Sequence, residues 1–327
     1  MHAIIATAAG GPEVLSPVDL PDPAPGPGEI LVQVAAAGVN FIDTYRRSGL
    51  YPMTYPHVVG SEGTGTVVAL GIGVTTAAVG NRVAWASAAG SYATRVVVRA
   101  ADAVPVPDAV DDETAAALLL QGLTAHYLAT STVDLGPGDE VLVHAAAGGV
   151  GLLLTQLATD RGARVIATVG SPAKEELARD AGAAEVIRYR ELDDLGADLP
   201  RRVRELTDGH GVRAVYDSVG KDTFDASLAS LRPRGVLVLF GASSGPVPPV
   251  DPQRLNTAGS VYLTRPSLGA YTATRAELLT RTDELLAAVA AGRLHVRIGA
   301  RYPLDQAAEA HRALEGRATT GKVLLLP

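Results

Sequence analysis

One stretch limits the fold more than any other. Asp139-Glu-Val-Leu-Val143 is a short, β-branched apolar run, Leu152-Leu-Leu-Thr-Gln-Leu-Ala158 has the composition of a buried helix, and His144-Ala-Ala-Ala-Gly-Gly-Val-Gly151 joins them. Strand, glycine turn and helix in that order open a parallel α/β unit. Gly148 and Gly149 remove side chains where backbone has to approach a phosphate, and Gly151 lets the helix press against the strand. The helix N-terminus offers unpaired N–H groups and partial positive charge. The turn departs from a strict GxGxxG spacing at Ala146, and taken alone it also fits a tight turn with no ligand.

The surrounding pattern supports the first reading. From Gly138 onward, strand-like runs at Val141 to Val143, Ala163 to Val169, Glu185 to Arg188, Ala214 to Tyr216 and Gly235 to Phe240 alternate with helical ones at Leu152 to Arg161, Ala173 to Ala181, Leu199 to Leu206 and Thr223 to Leu231. That alternation predicts an α/β fold, a doubly wound parallel sheet of Rossmann type covered on both faces. The first third reads differently: Glu29 to Val34, Gly65 to Ala69, Arg82 to Trp85 and Ala93 to Val98 are short β runs broken by turn residues, which predicts a mostly-β domain. A helix is expected from Asp111 to Thr130, an edge strand at Ser260 to Thr264, a long amphipathic helix near Arg275 to Ala291, and a last strand, Lys322 to Leu326, returning to the first domain. The expected divisions are 1–122, 123–258 and 259–327, with the edge strand in the last.

Composition narrows the partners. The 327 residues carry a net charge of −7, with Lys and Arg scattered, so nucleic acid and anionic membrane are poor partners and a small molecule is a better one. With no cysteine, disulfides, thiolate nucleophiles and cysteine-liganded zinc are excluded together. The seven histidines, His57, His126 and His144 among them, have no close metal-ligand spacing and read as packed or surface residues. No leader pattern opens the chain and no run reaches the ~20 apolar residues of a membrane span. A soluble cytoplasmic protein is expected.

The second strand of the α/β region indicates which dinucleotide fits. A carboxylate about 20 residues beyond the glycine turn selects NAD by accepting hydrogen bonds from its ribose hydroxyls. Here Ala163 to Val169 runs instead into Gly170-Ser171-Pro172-Ala173-Lys174, where Ser171 can donate a hydrogen bond and Lys174 can supply positive charge to a 2′-phosphate. NADPH is therefore favoured over NADH. Ser171 and Pro172 also fit an ordinary helix start with Lys174 as a solvated helix residue, and the two readings hold together.

With these residues assembled, the chain resembles the zinc-free, zeta-crystallin-like quinone oxidoreductases of the medium-chain dehydrogenase/reductase superfamily, over nearly its full length. The resemblance is carried by Gly11-Pro-Glu-Val-Leu15, Asn40-Phe-Ile-Asp-Thr-Tyr45, Ser48-Gly-Leu-Tyr-Pro52, Gln121-Gly-Leu-Thr124, the glycine turn, Val215-Tyr-Asp-Ser-Val-Gly220, Phe240-Gly-Ala-Ser-Ser-Gly245, Thr264-Arg-Pro-Ser267 and Gly316-Arg-Ala-Thr-Thr-Gly321. It implies a GroES-like catalytic domain built from both chain ends around a Rossmann domain, with NADPH in the cleft between them. It also implies a homodimer joined through a strand like Ser260 to Thr264. The cofactor contacts it implies are Asn40, Tyr45, Thr124, Gly148, Gly149, Val150, Ser171, Lys174, Tyr189, Ser218, Phe240, Ser243 and Arg317. A tyrosine closing a strand, as Tyr189 does, is also an ordinary packing residue. The family often has lysine where this chain has Gln121, and uncharged residues near Lys322.

Without a metal to hold an alkoxide, simple ketones and alcohols are difficult substrates, whereas a conjugated acceptor spreads the incoming charge over its π system. Hydride delivery to a quinone is the leading expectation. Reduction of an alkenal, an enone or an enoyl biosynthetic intermediate by the same chemistry is the alternative, and a non-catalytic NADPH-binding structural or RNA-binding role is a third. Asn40, Tyr45, Tyr51 and Gln121 are the candidates for orienting the acceptor, since tyrosine offers both a hydroxyl and an aromatic face to a flat substrate. Tyr51, between Leu50 and Pro52, equally fits a loop anchor.

Overall fold

Two sheet systems organise the chain, one mainly antiparallel and one wholly parallel, and the computed structural model describes all residues 1–327. They belong to separate units, Met1–Leu123 with Thr272–Pro327, and Thr124–Tyr271. In the first unit, β1 (Glu29–Val39) leads into α1 (Phe41–Ser48), followed by β2 (Glu62–Leu70), β3 (Arg82–Trp85), β4 (Arg95–Arg99), β5 (Val104–Pro105) and α2 (Asp112–Tyr127). β1 extends past the run expected at Glu29 to Val34, because after a bulge at Ala35 the residues Ala36, Ala37 and Gly38 continue the ladder opposite β2, with Gly38 paired to Glu62. Small residues hide that extension from a hydrophobic pattern. A three-stranded sheet of His2–Ala6, Leu15–Asp19 and His57–Val58 was not anticipated from the sequence. Ile30, Val32, Trp85, Tyr92 and Val96 are the centre of this unit's core.

The second unit contains β6 (Glu140–Val143), α3 (Gly149–Asp160), β7 (Arg164–Val169), α4 (Pro172–Asp180), β8 (Glu185–Arg188), α5 (Leu195–Leu206), β9 (Val212–Asp217), α6 (Phe224–Ser230), β10 (Leu231–Leu239) and β11 (Tyr262–Thr264). All six strands are parallel in the order β8-β7-β6-β9-β10-β11. That is the doubly wound order expected, in which the chain reverses direction across the sheet beside β6, where the glycine turn begins. The unit ends at Tyr271 rather than at residue 258, because β11 pairs with β10 and so extends this sheet. The helix expected to reach Thr130 changes at Leu128–Thr132 into a wider π turn, and Tyr216 donates its hydroxyl to Leu128 O at 3.1 Å.

The chain then returns to the first unit as α7 (Arg275–Ala290), β12 (Ile298–Pro303), α8 (Ala307–Glu315) and β13 (Lys322–Leu326). β13 pairs antiparallel with β1, which sets Leu324 opposite Gly38. A buried polar chain ties α8 to α1. Arg47, 2% exposed, forms a forked pair with Glu315 (2.7 and 3.1 Å) and donates to His311 Nδ1 at 3.1 Å. Guanidinium only donates, so the proton of His311 is on Nε2 and is given to Tyr92 OH at 3.1 Å; Tyr92 in turn donates to Asp43 Oδ2 at 3.1 Å. Burial, reinforced by the Arg47 charge, pushes the His311 imidazole down to about 3.

The sign of the resulting pH dependence follows. Unfolded His311 takes up a proton near pH ~6.5, whereas the folded imidazole stays neutral down to about pH 3. Its stabilising contribution is complete above the unfolded value and is lost as the pH falls through that window, with a ceiling of ~1.4 kcal/mol per pH unit. Urea unfolding at pH 7.5 and 4.5 is expected to give a smaller fall in stability for His311→Gln than for the wild type. Equal falls would remove His311 from the account.

Candidate functional site

The end of β6 turns sharply. Ala145 takes a φ of +50°, and Gly148 N donates back to Ala145 O at 2.9 Å. A Cβ on Gly151 would lie 2.4 Å from Ala145 O and 2.7 Å from Ala146 Cα, so only glycine lets α3 start this close to the turn. Gly148 is the N-cap and has no side chain to cap with, which leaves the first-turn amides of Gly149, Val150 and Gly151 for an anion. The turn is pinned from beneath. His144, buried, bridges Thr168 Oγ1 (2.9 Å) and Ser227 Oγ (3.0 Å), and Ser227 donates to Asp217 Oδ2 at 2.7 Å. With the Ser227 proton on Asp217, His144 must donate from Nε2 and accept at Nδ1. Burial lowers its pKa against the pull of Asp217, so it is a neutral pin, in line with its reading as a packed residue.

Asp217 is a turn-forming residue of this region that the sequence reading did not single out. Fully buried at the end of β9, it accepts from Val219 N (2.8 Å), Gly220 N (3.0 Å) and Thr223 Oγ1 (2.7 and 2.9 Å), which shapes the turn carrying Ser218. The loop after β10 lies against that turn: Phe240 N donates to Asp217 O, Ser243 N donates to Ser218 O, and a Cβ on Gly241 would lie 2.4 Å from Ser218 O. Ser218, Phe240 and Ser243 are thus brought together. At the end of β7, Ser171 holds the N-cap position of α4 without a side-chain capping bond, and Lys174, half-buried, lies in its first turn. No carboxylate closes the strand. A Cβ on Gly170 would lie 2.9 Å from Tyr189 OH and 3.4 Å from Arg190 Nε, so Tyr189 and a second cation gather at this point. Arg190 carried no sequence signal, being one arginine among many. Thr124 opens the unit on α2, buried.

In the first unit, Tyr45 on α1 packs its ring 5.4 Å from Tyr51 and 6.1 Å from Phe41, and Tyr51 N donates to Tyr45 O at 3.0 Å. Asn40 is the N-cap residue of α1, and its backbone N–H is met by Asp43 Oδ2 at 3.0 Å. Its side chain was expected to face an acceptor. Instead Nδ2 donates to Glu62 Oε2 (2.8 Å) and Gly38 O (3.2 Å), while Oδ1 accepts from Lys322 Nζ (2.8 Å) and Gln121 Nε2 (3.3 Å), leaving no amide proton to offer. Glu62 and Lys322 form a buried ion pair and are further residues that sequence reasoning did not find. Arg317 occupies the left-handed turn after α8, with φ +58°.

The second unit's turn fits a dinucleotide: a glycine floor that a Cβ would fill, a helix start without a side-chain cap, and cationic rather than anionic groups at the end of the second strand. Residues 26–108 match the alcohol dehydrogenase GroES-like domain and residues 149–282 the zinc-binding dehydrogenase family. A quinone oxidoreductase of Pseudomonas aeruginosa is 48% identical over 322 residues, 98% of each chain. The structure of a mycobacterial protein complexed with NADPH superposes with a TM-score of 0.97 at 56% identity over 100% of both chains. That of Escherichia coli quinone oxidoreductase complexed with NADPH does so at 0.97 and 45%, again over 100% of both. The chain belongs to the quinone oxidoreductase family of the medium-chain dehydrogenase/reductase superfamily.

Proposed function

We propose that this protein is an NADPH-dependent quinone reductase that works without a metal. The observation that carries the reading is the uncapped, side-chain-free start of α3, together with a β7 that ends without a carboxylate of its own, is followed by Lys174 in the first turn of α4, and has Arg190 against Gly170, the first-turn Glu175 being paired with Arg179 and Arg188. Gly148, Gly149 and Val150 would hold the pyrophosphate with backbone amides. Ser171, Lys174, Tyr189 and Arg190 would hold the 2′-phosphate. Thr124, Ser218, Phe240 and Ser243, with Asn40, Tyr45 and Arg317, complete the proposed set. When bound, NADPH supplies a hydride.

The protein's own part is to place a flat acceptor and to stabilise the charge that reaches its oxygen. Tyr45 and Tyr51 offer ring faces to a planar substrate and hydroxyl donors to a developing oxyanion. Conjugation spreads the negative charge, so hydrogen bonds are enough where an isolated carbonyl would need a Lewis acid. Metal independence fits a chain with no cysteine and no group of three His, Cys, Asp or Glu arranged to hold an ion. No helix is long and apolar enough to cross a membrane, which is consistent with the proposed cytoplasmic location. A homodimer is proposed through β11, the outer strand of the parallel sheet, where Tyr262 is 63% exposed.

NADPH oxidation followed by absorbance across a panel of quinones and α,β-unsaturated carbonyls tests the reading; turnover restricted to the carbonyls would replace quinone as the acceptor. Lys174→Ala is expected to raise the Kd for NADPH about tenfold and leave that for NADH unchanged, as expected for one charge-assisted phosphate contact. Equal effects on both coenzymes would move the 2′-phosphate elsewhere. Tyr45→Phe combined with Tyr51→Phe should lower kcat/KM by about tenfold or more; wild-type turnover in the double variant would exclude proton or hydrogen-bond donation by either hydroxyl. Sedimentation should give a two-chain mass for the wild type and a one-chain mass for Tyr262→Glu, and a monomeric wild type would refute the dimer.

A further inference from the structure

β7 ends without a carboxylate of its own, yet two acids stand close to it in the chain. Glu175 lies in the first turn of α4, one residue after Lys174, and Glu191 follows Arg190 directly. A carboxylate released in either place would repel a 2′-phosphate and compete for the cations that would hold it. One guanidinium takes both. Arg188 is the last residue of β8 and sits in register beside Val169, the last residue of β7. From there its Nε lies 3.1 Å from Glu175 Oε2 and its Nη1 lies 2.8 Å from Glu191 Oε1. Arg179, further along α4, takes the remaining oxygen of Glu175 at 2.9 Å. Arg190 has no part in these pairs, and its Nε lies 3.4 Å from where a Cβ on Gly170 would be. A planar guanidinium can hold two carboxylates on separate edges in a fixed geometry, which a single ammonium does less well.

We propose that Arg188 is a positioning residue that secures the coenzyme preference of this site: by holding Glu175 and Glu191 to itself, it keeps both carboxylates away from Lys174, Arg190 and an incoming 2′-phosphate. The inference rests on the NADPH reading and deepens it. Arg188 acts through the two acids, so its loss is felt only by the coenzyme that carries the extra phosphate. NADH has ribose hydroxyls at that point and is indifferent to where the acids lie, or gains from them. The side chains of Arg188, Glu175 and Glu191 are 36, 24 and 59% exposed, so solvent screens the effect and it is modest in size.

The test is a cycle of charge-removing variants in the full-length protein, read by calorimetric titration with NADPH and with NADH at low ionic strength. Arg188→Gln is expected to raise the Kd for NADPH about three- to fivefold, the size of a partly exposed charge interaction, and to leave that for NADH unchanged. Adding Glu175→Gln and Glu191→Gln to that variant should return the NADPH affinity to within about twofold of the wild type. The same two substitutions made with Arg188 intact should change little, because the acids are already occupied. Equal gains in both backgrounds would make Arg188 simply one more positive charge and overturn the proposal. No recovery in the triple variant overturns it too, as does a loss shared equally by NADH, which is what damage to the end of β8 would give. If Arg188→Gln does not fold, Arg188→Lys must lose affinity for NADPH alone and regain it with the two acid substitutions; wild-type binding by Arg188→Lys then overturns the proposal equally. A wild-type protein that binds NADH as tightly as NADPH would bring down the coenzyme reading and this inference together, whereas a wild type that prefers NADPH with indifferent variants sinks the inference alone.

Discussion

Three carboxylates, Asp43, Glu62 and Asp217, are sealed from water, and each has to be fully paired before its part of the fold can close. Asp43 is met by Ser61, Tyr92 and the Asn40 backbone; Glu62 by Lys322, Asn40 and the Leu120 backbone; Asp217 by Thr223, Ser227 and two amides of its own turn. Leaving one such group unpaired costs about 1–3 kcal/mol, and more when it is charged. That penalty gives each constellation a single arrangement. The precision follows from burial: what surrounds each carboxylate holds Asn40, the start of α1 and the Ser218 turn in register.

The two units use this constraint for different ends. In the parallel unit, Asp217 and the neutral His144 stiffen the turns at the carboxyl ends of β6 and β9, and leave backbone amides as the groups that face outward. In the unit built from both ends of the chain, the paired charges orient side-chain amides instead. Backbone donors suit phosphate, whose charge is large and spread over several oxygens. Side-chain amides suit finer discrimination, because they can present either a donor or an acceptor.

The architecture was legible in the sequence where hydrophobic period and glycine carry it. The alternation after Gly138 gave the parallel sheet, and Gly148 to Gly151 gave the turn that a Cβ would fill. The end of β1 was not legible, since Ala35 to Gly38 have little apolar bulk although Ala36 and Ala37 are buried within the sheet. The polar frame was hidden for a different reason. Asn40 and Lys322 are 282 residues apart, and nothing local to Glu62 or Asp217 separates them from any surface acid. Arg190 was equally anonymous until Gly170 was seen to lie beneath it. Pairings of this kind exist only once strands from both chain ends lie side by side, as β1 and β13 do.

Lysine occurs in this chain only at positions 174, 221 and 322, while arginine supplies the other cations. The scarcity has a chemical corollary. Lys322 is shut away, so amine-directed acylating reagents find just two side-chain targets, and one of them, Lys174, lies in the first turn after the second strand of the parallel sheet. A fluorophore or crosslinker placed on Lys174 would report from beside the Gly170 turn, far in sequence from the sealed Lys322 on the other unit.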